Sequence, residues 1–192
     1  MTEIDAPPEQ DFGVLERGDA TIAVRFTRQL PHPPQKVWRA LTEAGHLAAW
    51  FPTTIEGDMT TVGAPLRFAF SQVPVPPMDG RMHAFDPPKL LEFTWGEDTL
   101  RFELTAHEDG TTLEFTATFI ELGKVARDGA GWHVCLDRLG YELAGVPAPG
   151  EEDQRWRLVH PEYVARFGPE AATIGPPREW EDTYGPADAG PG

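Results

Sequence analysis

Two stretches, TLRFELTAHEDGTTLEFTATF (Thr99–Phe119) and RDGAGWHVCLDRLGYEL (Arg127–Leu143), carry the reading of the fold. In the first, Leu100, Phe102 and Leu104 alternate with polar residues, and Leu113, Phe115 and Ala117 do so again after Asp109-Gly110. A period of two puts one set of side chains on one face, so two half-buried strands are expected, Thr99–Ala106 and Thr111–Phe119. In the second, Trp132, Cys135, Leu136, Leu139 and Leu143 fall at i, i+3, i+4, i+7 and i+11. That spacing is a single apolar stripe on a helix. Gly145 is placed to close it, because a left-handed residue is needed there. A sheet with one apolar face needs a cover, and this helix is the element large enough to supply it.

The same period of two recurs upstream at Ile22, Val24 and Phe26, predicting a first strand over Thr21–Leu30 that Pro31, Pro33 and Pro34 end. Pro34 suits the first position of a helix, which needs no N–H there, and Val37, Trp38 and Leu41 form its apolar side up to Thr42. A second short helix, Glu43–Trp50, stops at Phe51-Pro52. Further strands are expected at Thr53–Asp58, Pro65–Phe70, Asp79–Phe85 and Leu90–Trp95, separated by Gly63, Pro74-Val75-Pro76-Pro77, Pro87-Pro88 and Gly96. The expected fold class is α+β: a seven-stranded antiparallel sheet wrapped on a long C-terminal helix, with two short helices after strand one. Residues 1–19 read as an extended N-terminal arm and 20–145 as the domain. Residues 146–168 read as a helical extension, in which Trp156, Val159, Tyr163 and Phe167 share a face. Residues 169–192 are rich in acids, Pro and Gly and are expected to be disordered.

The 192 residues carry a formal charge of -15, shared equally by the arm, the domain and the segment after it. No basic stripe is available to neutralise phosphates, which argues against nucleic acid. Cys135 is the single cysteine, so no intramolecular disulfide can form and a reducing compartment is expected. MTEIDAPPEQDFG has neither the basic nor the apolar region of a signal peptide, and no run approaches 18 apolar residues. A cytoplasmic protein without a membrane span is the expectation.

Catalytic motifs are missing. There is no Gly-rich phosphate loop, H-E-x-x-H, C-x-x-C or G-x-S-x-G, and the six histidines show no ligand spacing. No catalytic residue, metal or cofactor is therefore expected. Ser71 reads as a turn serine before a Pro-rich loop. His133 and Asp137 can meet on one helix face, and a solvated face is the simpler account of the pair.

Several fragments resemble a known family. Pro33-Pro34-Gln35-Lys36-Val37-Trp38-Arg39-Ala40-Leu41-Thr42 is similar to the first-helix entry of the SRPBCC (START-like, helix-grip) superfamily. Trp50-Phe51, Gly80, Asp86-Pro87-Pro88-Lys89-Leu90, Phe93-Thr94-Trp95 and Gly131-Trp132-His133-Val134-Cys135-Leu136-Asp137 resemble its heat-shock protein 90 ATPase activator-homologue branch. So does the tail Trp156…Tyr163…Arg166-Phe167-Gly168. This chain has Ala117 where members often carry a His in the last strand. The resemblance implies a helix-grip fold with a cavity between sheet and long helix. Met82, Phe93, Trp95, Phe115, Trp132, Cys135 and Leu136 are the candidate pocket residues, for a small, largely apolar ligand. A co-chaperone-like interaction module with a chaperone partner is the alternative, and a cyclase- or dehydratase-type enzyme a third. Monomer and homodimer are both open.

Overall fold

The computed structural model describes residues 12–18, 21–71, 73–150 and 152–185. Eight strands form one antiparallel sheet: β1 (Val14–Arg17), β2 (Ile22–Leu30), β3 (Thr54–Gly57), β4 (Pro65–Ala69), β5 (Met78–Asp86), β6 (Leu90–Trp95), β7 (Asp98–His107) and β8 (Gly110–Phe119). Their spatial order is β1-β2-β8-β7-β6-β5-β4-β3. Helices α1 (Pro34–Thr42) and α2 (Ala44–Trp50) lie between β2 and β3. The long helix α3 (Val125–Ala144) follows β8, then α4 (Glu152–Phe167) and the short α5 (Arg178–Tyr184). None of the described helices is long and apolar enough to cross a membrane.

The expected seven strands are eight. The additional one, β1, comes from the arm and pairs with β2 from Val14↔Arg25 to Arg17↔Ile22. Four residues with only Leu15 half-buried show no period of their own; the free edge of β2 makes them a strand. The tail also differs from expectation. It carries a 3-10 turn at Pro169–Ala172 and then α5, whose Trp180 packs 5.2 Å from Trp156 with the Arg157 guanidinium 5.1 Å above it. A tertiary aromatic contact thus folds a segment whose composition alone cannot. Residues 1–11 and 186–192 lie outside the described residues.

The alternation in β7 and β8 becomes burial. Leu100, Phe102, Leu113, Phe115 and Ala117 are all inaccessible. In register, Phe26 faces Phe115 and Phe115 faces Phe102. With Phe93 and Phe68 they make a ladder of five stacked rings across the sheet, with centroids 4.6–6.1 Å apart. Cross-strand aromatic pairs of this kind bind neighbouring strands beyond simple burial. α3 lies over the ladder with its stripe inward: Trp132 sits edge-on to Phe115 at 5.2 Å, and Leu136, Leu139 and Leu143 are buried behind it. Gly145 ends α3 in the left-handed conformation, φ 70°, and the N–H groups of Gly145 and Val146 return to Glu142 and Tyr141. Trp50 meets the middle ring of the ladder, Phe102, edge-on at 6.2 Å, and donates its indole N–H to the Ala40 carbonyl, which ties α2 to α1.

Candidate functional site

The structure brings most of the candidate pocket residues to one place, the end of the sheet where β6 turns into β7 beneath the first half of α3. Met82 and Phe93 are register partners on β5 and β6. Both are buried, as are Phe115, Trp132, Cys135 and Leu136. A bulge between Met82 and Ala84 keeps Met82 inward while Arg81 and His83 stay exposed. The rings touch in sequence: Phe93 lies 6.1 Å from Phe102, Phe102 4.6 Å from Phe115, Phe115 5.2 Å from Trp132, and Trp132 5.3 Å from Trp95.

Trp95 differs from the others in being only half-buried. Its indole N–H points to the Thr53 hydroxyl at 3.3 Å, and its ring meets Phe70 edge-on at 6.0 Å. Phe51, 5.7 Å from Trp132, closes the back of the corner. Phe70 and Met78 are likewise half-buried. The result is a corner with Trp132 and Phe51 as its floor and Trp95, Phe70 and Met78 as a partly open rim. Thr53, Phe51 and Phe70 are contributions that the sequence reading missed. They come from strand ends and loops, where no period marks the inward side.

A second polar constellation forms on the opposite flank, where α4 packs on α3. The expectation that His133 and Asp137 share a solvated face is overturned, because His133 is fully buried beneath α4. Its Nδ1 accepts the Tyr163 hydroxyl at 2.9 Å, and that hydroxyl oxygen in turn accepts the Gly13 N–H at 2.9 Å. Nε2 has no hydrogen-bond partner and lies 3.6 Å from Asp137 Oδ2, which Arg155 grips through Nε and Nη2 at 2.9 and 2.8 Å. Burial, with the nearby Arg28 and Arg155 charges, pushes the His133 pKa down to about 3. The ring is therefore neutral, with its proton on Nε2. Burial raises the Tyr163 phenol, which stays protonated and able to donate. Arg28 points inward from β2, on the face shared with Phe26 and Leu30, and its guanidinium lies 5.8 Å from the Phe26 ring centroid. Continuing the alternation past Phe26 would have found it.

Other surfaces offer less. A depression of about 140 Å³ between α1, α2 and the end of α3 is lined by Lys36, Arg39, His46 and Glu142. Its polar groups are engaged, His46 with Glu142 at 2.7 Å and Arg39 with the neighbouring Glu43 at 2.9 Å. No group of His, Cys, Asp and Glu among the described residues is arranged to hold a metal ion.

Among solved structures, a conserved protein of unknown function, EF2215 from Enterococcus faecalis, superposes with a TM-score of 0.65 at 23% identity, over 81% of this chain and 92% of its own. CalU16 from Micromonospora echinospora gives 0.65 at 23%, over 81% and 96%. MLL2253 from Mesorhizobium loti gives 0.56 at 26%, over 66% of this chain and 99% of its own. A search of curated proteins finds no match. The family model described as "Activator of Hsp90 ATPase homolog 1-like protein" matches residues 31–144, which span α1 through α3 and the whole aromatic corner. The chain belongs to that family, and its fold is the helix-grip fold of the SRPBCC superfamily.

Proposed function

We propose that this protein binds a small, flat, largely apolar molecule at the corner formed by Trp95, Trp132, Phe51 and Phe70, without covalent chemistry. The observation that carries the reading is the half-buried state of Trp95 in a domain whose other large inward aromatics in β6–β8 are closed off. An aromatic rim over an aromatic floor offers a stacking surface, and the Trp95 N–H and Thr53 hydroxyl supply one polar handle. Such a site suits a ring system with a single hydrogen-bonding group.

The test is a titration of intrinsic tryptophan fluorescence with an apolar ring probe, anilinonaphthalene sulfonate. Saturable quenching is expected, and Trp95→Ala should weaken it by about tenfold or more, the equivalent of one lost aromatic contact of about 1.4 kcal/mol. An unchanged affinity in that variant would remove the corner as the site. The family match supports a second reading, a co-chaperone-like module that engages a heat-shock protein 90 chaperone. That reading is favoured if the immobilised chain retains the chaperone while the probe shows no saturable binding.

A further inference from the structure

The family match ends at residue 144, yet two segments outside it are fastened to each other across the fold. At one end of β1, the Gly13 N–H is donated to the Tyr163 hydroxyl of α4. The Phe12 ring lies 5.0 Å from His133 and 5.4 Å from Tyr163, with the Arg166 guanidinium 4.2 Å from its centroid. At the other end, Arg17 Nη2 donates to the Phe167 carbonyl and to Glu170, both at 2.9 Å. The strap runs along the edge of β2, and its path is tight. A Cβ on Gly13 would come within 2.6 Å of Val24 and 2.7 Å of Phe26, so only glycine passes there.

α4 in turn covers α3. Tyr163 and Phe167 crowd Gly129, where an added Cβ would lie 3.3 Å from both rings, and the Trp156 indole N–H reaches the Arg127 carbonyl. The covered surface of α3 includes His133, a polar side chain with no exposure and one nitrogen unpartnered, which is costly to leave in that state.

We propose that the N-terminal strap (residues 12–17) and α4 form one detachable cover over the outer face of α3, latched at the Gly13–Tyr163–His133 chain, and that they dock and undock as a single unit. The outer face of α3 is thus a helix-docking surface whose occupant is the chain's own α4. It accepts an amphipathic helix with aromatic residues spaced as Trp156, Tyr163 and Phe167 are. The strap holds that helix because each end of β1 bonds to α4 or to the turn that follows it, while its middle pairs with the sheet. Opening exposes His133, the small-residue groove at Gly129, the edge of β2 and the side of Phe26 that packs on Gly13 and Tyr163, while the other four rings of the ladder stay paired within the sheet.

Hydrogen–deuterium exchange on the full chain tests this. Phe12→Ala removes the ring from the latch and leaves the core of the sheet intact. Exchange in α4 and at the β1–β2 edge is expected to rise together by about tenfold or more, with β7 and β8 unchanged, as for a cooperative sub-global opening. Tyr163→Phe keeps the ring packing and deletes only the shared hydroxyl, and it should produce the same paired response. The proposal is overturned if Phe12→Ala frees the strap while α4 keeps its protection, or if every strand accelerates equally. Wild-type exchange in both segments of Tyr163→Phe would overturn the latch.

Discussion

Replacing Phe115 with alanine is expected to lower the unfolding free energy by about 3–5 kcal/mol, the range for deleting a large aromatic from a packed core. Phe115 is inaccessible and stands inside the ring ladder, in register with Phe26 on one side and Phe102 on the other and capped by Trp132. Its removal opens a void that the three surrounding rings, Phe26, Phe102 and Trp132, cannot fill, because the strands and the helix that carry them fix their positions. Trp95→Ala should cost much less, since the ring is half-buried and gives up fewer contacts. The two variants separate stability from the proposed binding: the first unfolds early in urea, whereas the second folds normally and loses the probe. A loss below about 1 kcal/mol for Phe115→Ala would mean that the ladder is not the core's centre.

That ladder was legible in the sequence because it rests on period-two alternation, which survives from residue pattern to structure wherever a strand has one wet face. The inward faces of β2, β6, β7 and β8 and the stripe of α3 follow directly from that rule. The aromatic corner was legible in part. Met82, Phe93, Trp95, Phe115 and Trp132 lie on regular elements, so their inward direction could be read. Phe51, Thr53 and Phe70 lie where strands begin or end, and chain curvature rather than period aims them. β1 and α5 were hidden for another reason. Each is too short to stabilise itself and becomes regular only against a partner outside its own segment, the neighbouring β2 for one and Trp156 for the other. His133 misled because its helix has two buried faces. The sequence pattern marks the stripe that meets the sheet, while the second face exists only because α4 packs there, and Tyr163 supplies His133 Nδ1 with the partner that a solvated face would have left to water.

Acidification is expected to destabilise the protein through that same histidine. The folded state holds His133 neutral down to about pH 3, whereas the unfolded chain takes up the proton near the ordinary imidazole value of 6.5. Between those values the unfolded state binds more protons, so stability is complete above about pH 6.5 and falls as pH drops. Each unit of pH in this window costs up to about 1.4 kcal/mol, and about 3 kcal/mol is lost by pH 4.5. Glu43, Glu103 and Glu170, whose carboxyls are held low by Arg39, Arg101 and a backbone N–H with Arg17 respectively, act in the same direction at lower pH. Their exposure makes each contribution small. Asp98 opposes them, because burial raises its carboxyl despite the Lys124 ammonium 2.7 Å away, so its protonation on acidification favours the folded state. The loss at His133 has a ceiling. If lifting the cover costs less than charging the buried ring, the proton enters through the opened latch and the global loss stops at the free energy of that opening. Urea midpoints measured from pH 7 to pH 4.5 should therefore fall in the wild type and flatten in His133→Gln, which keeps an acceptor for the Tyr163 hydroxyl but cannot take a proton in this range. A wild-type midpoint that does not move, or a glutamine variant that falls just as steeply, would show that His133 is not the group responsible.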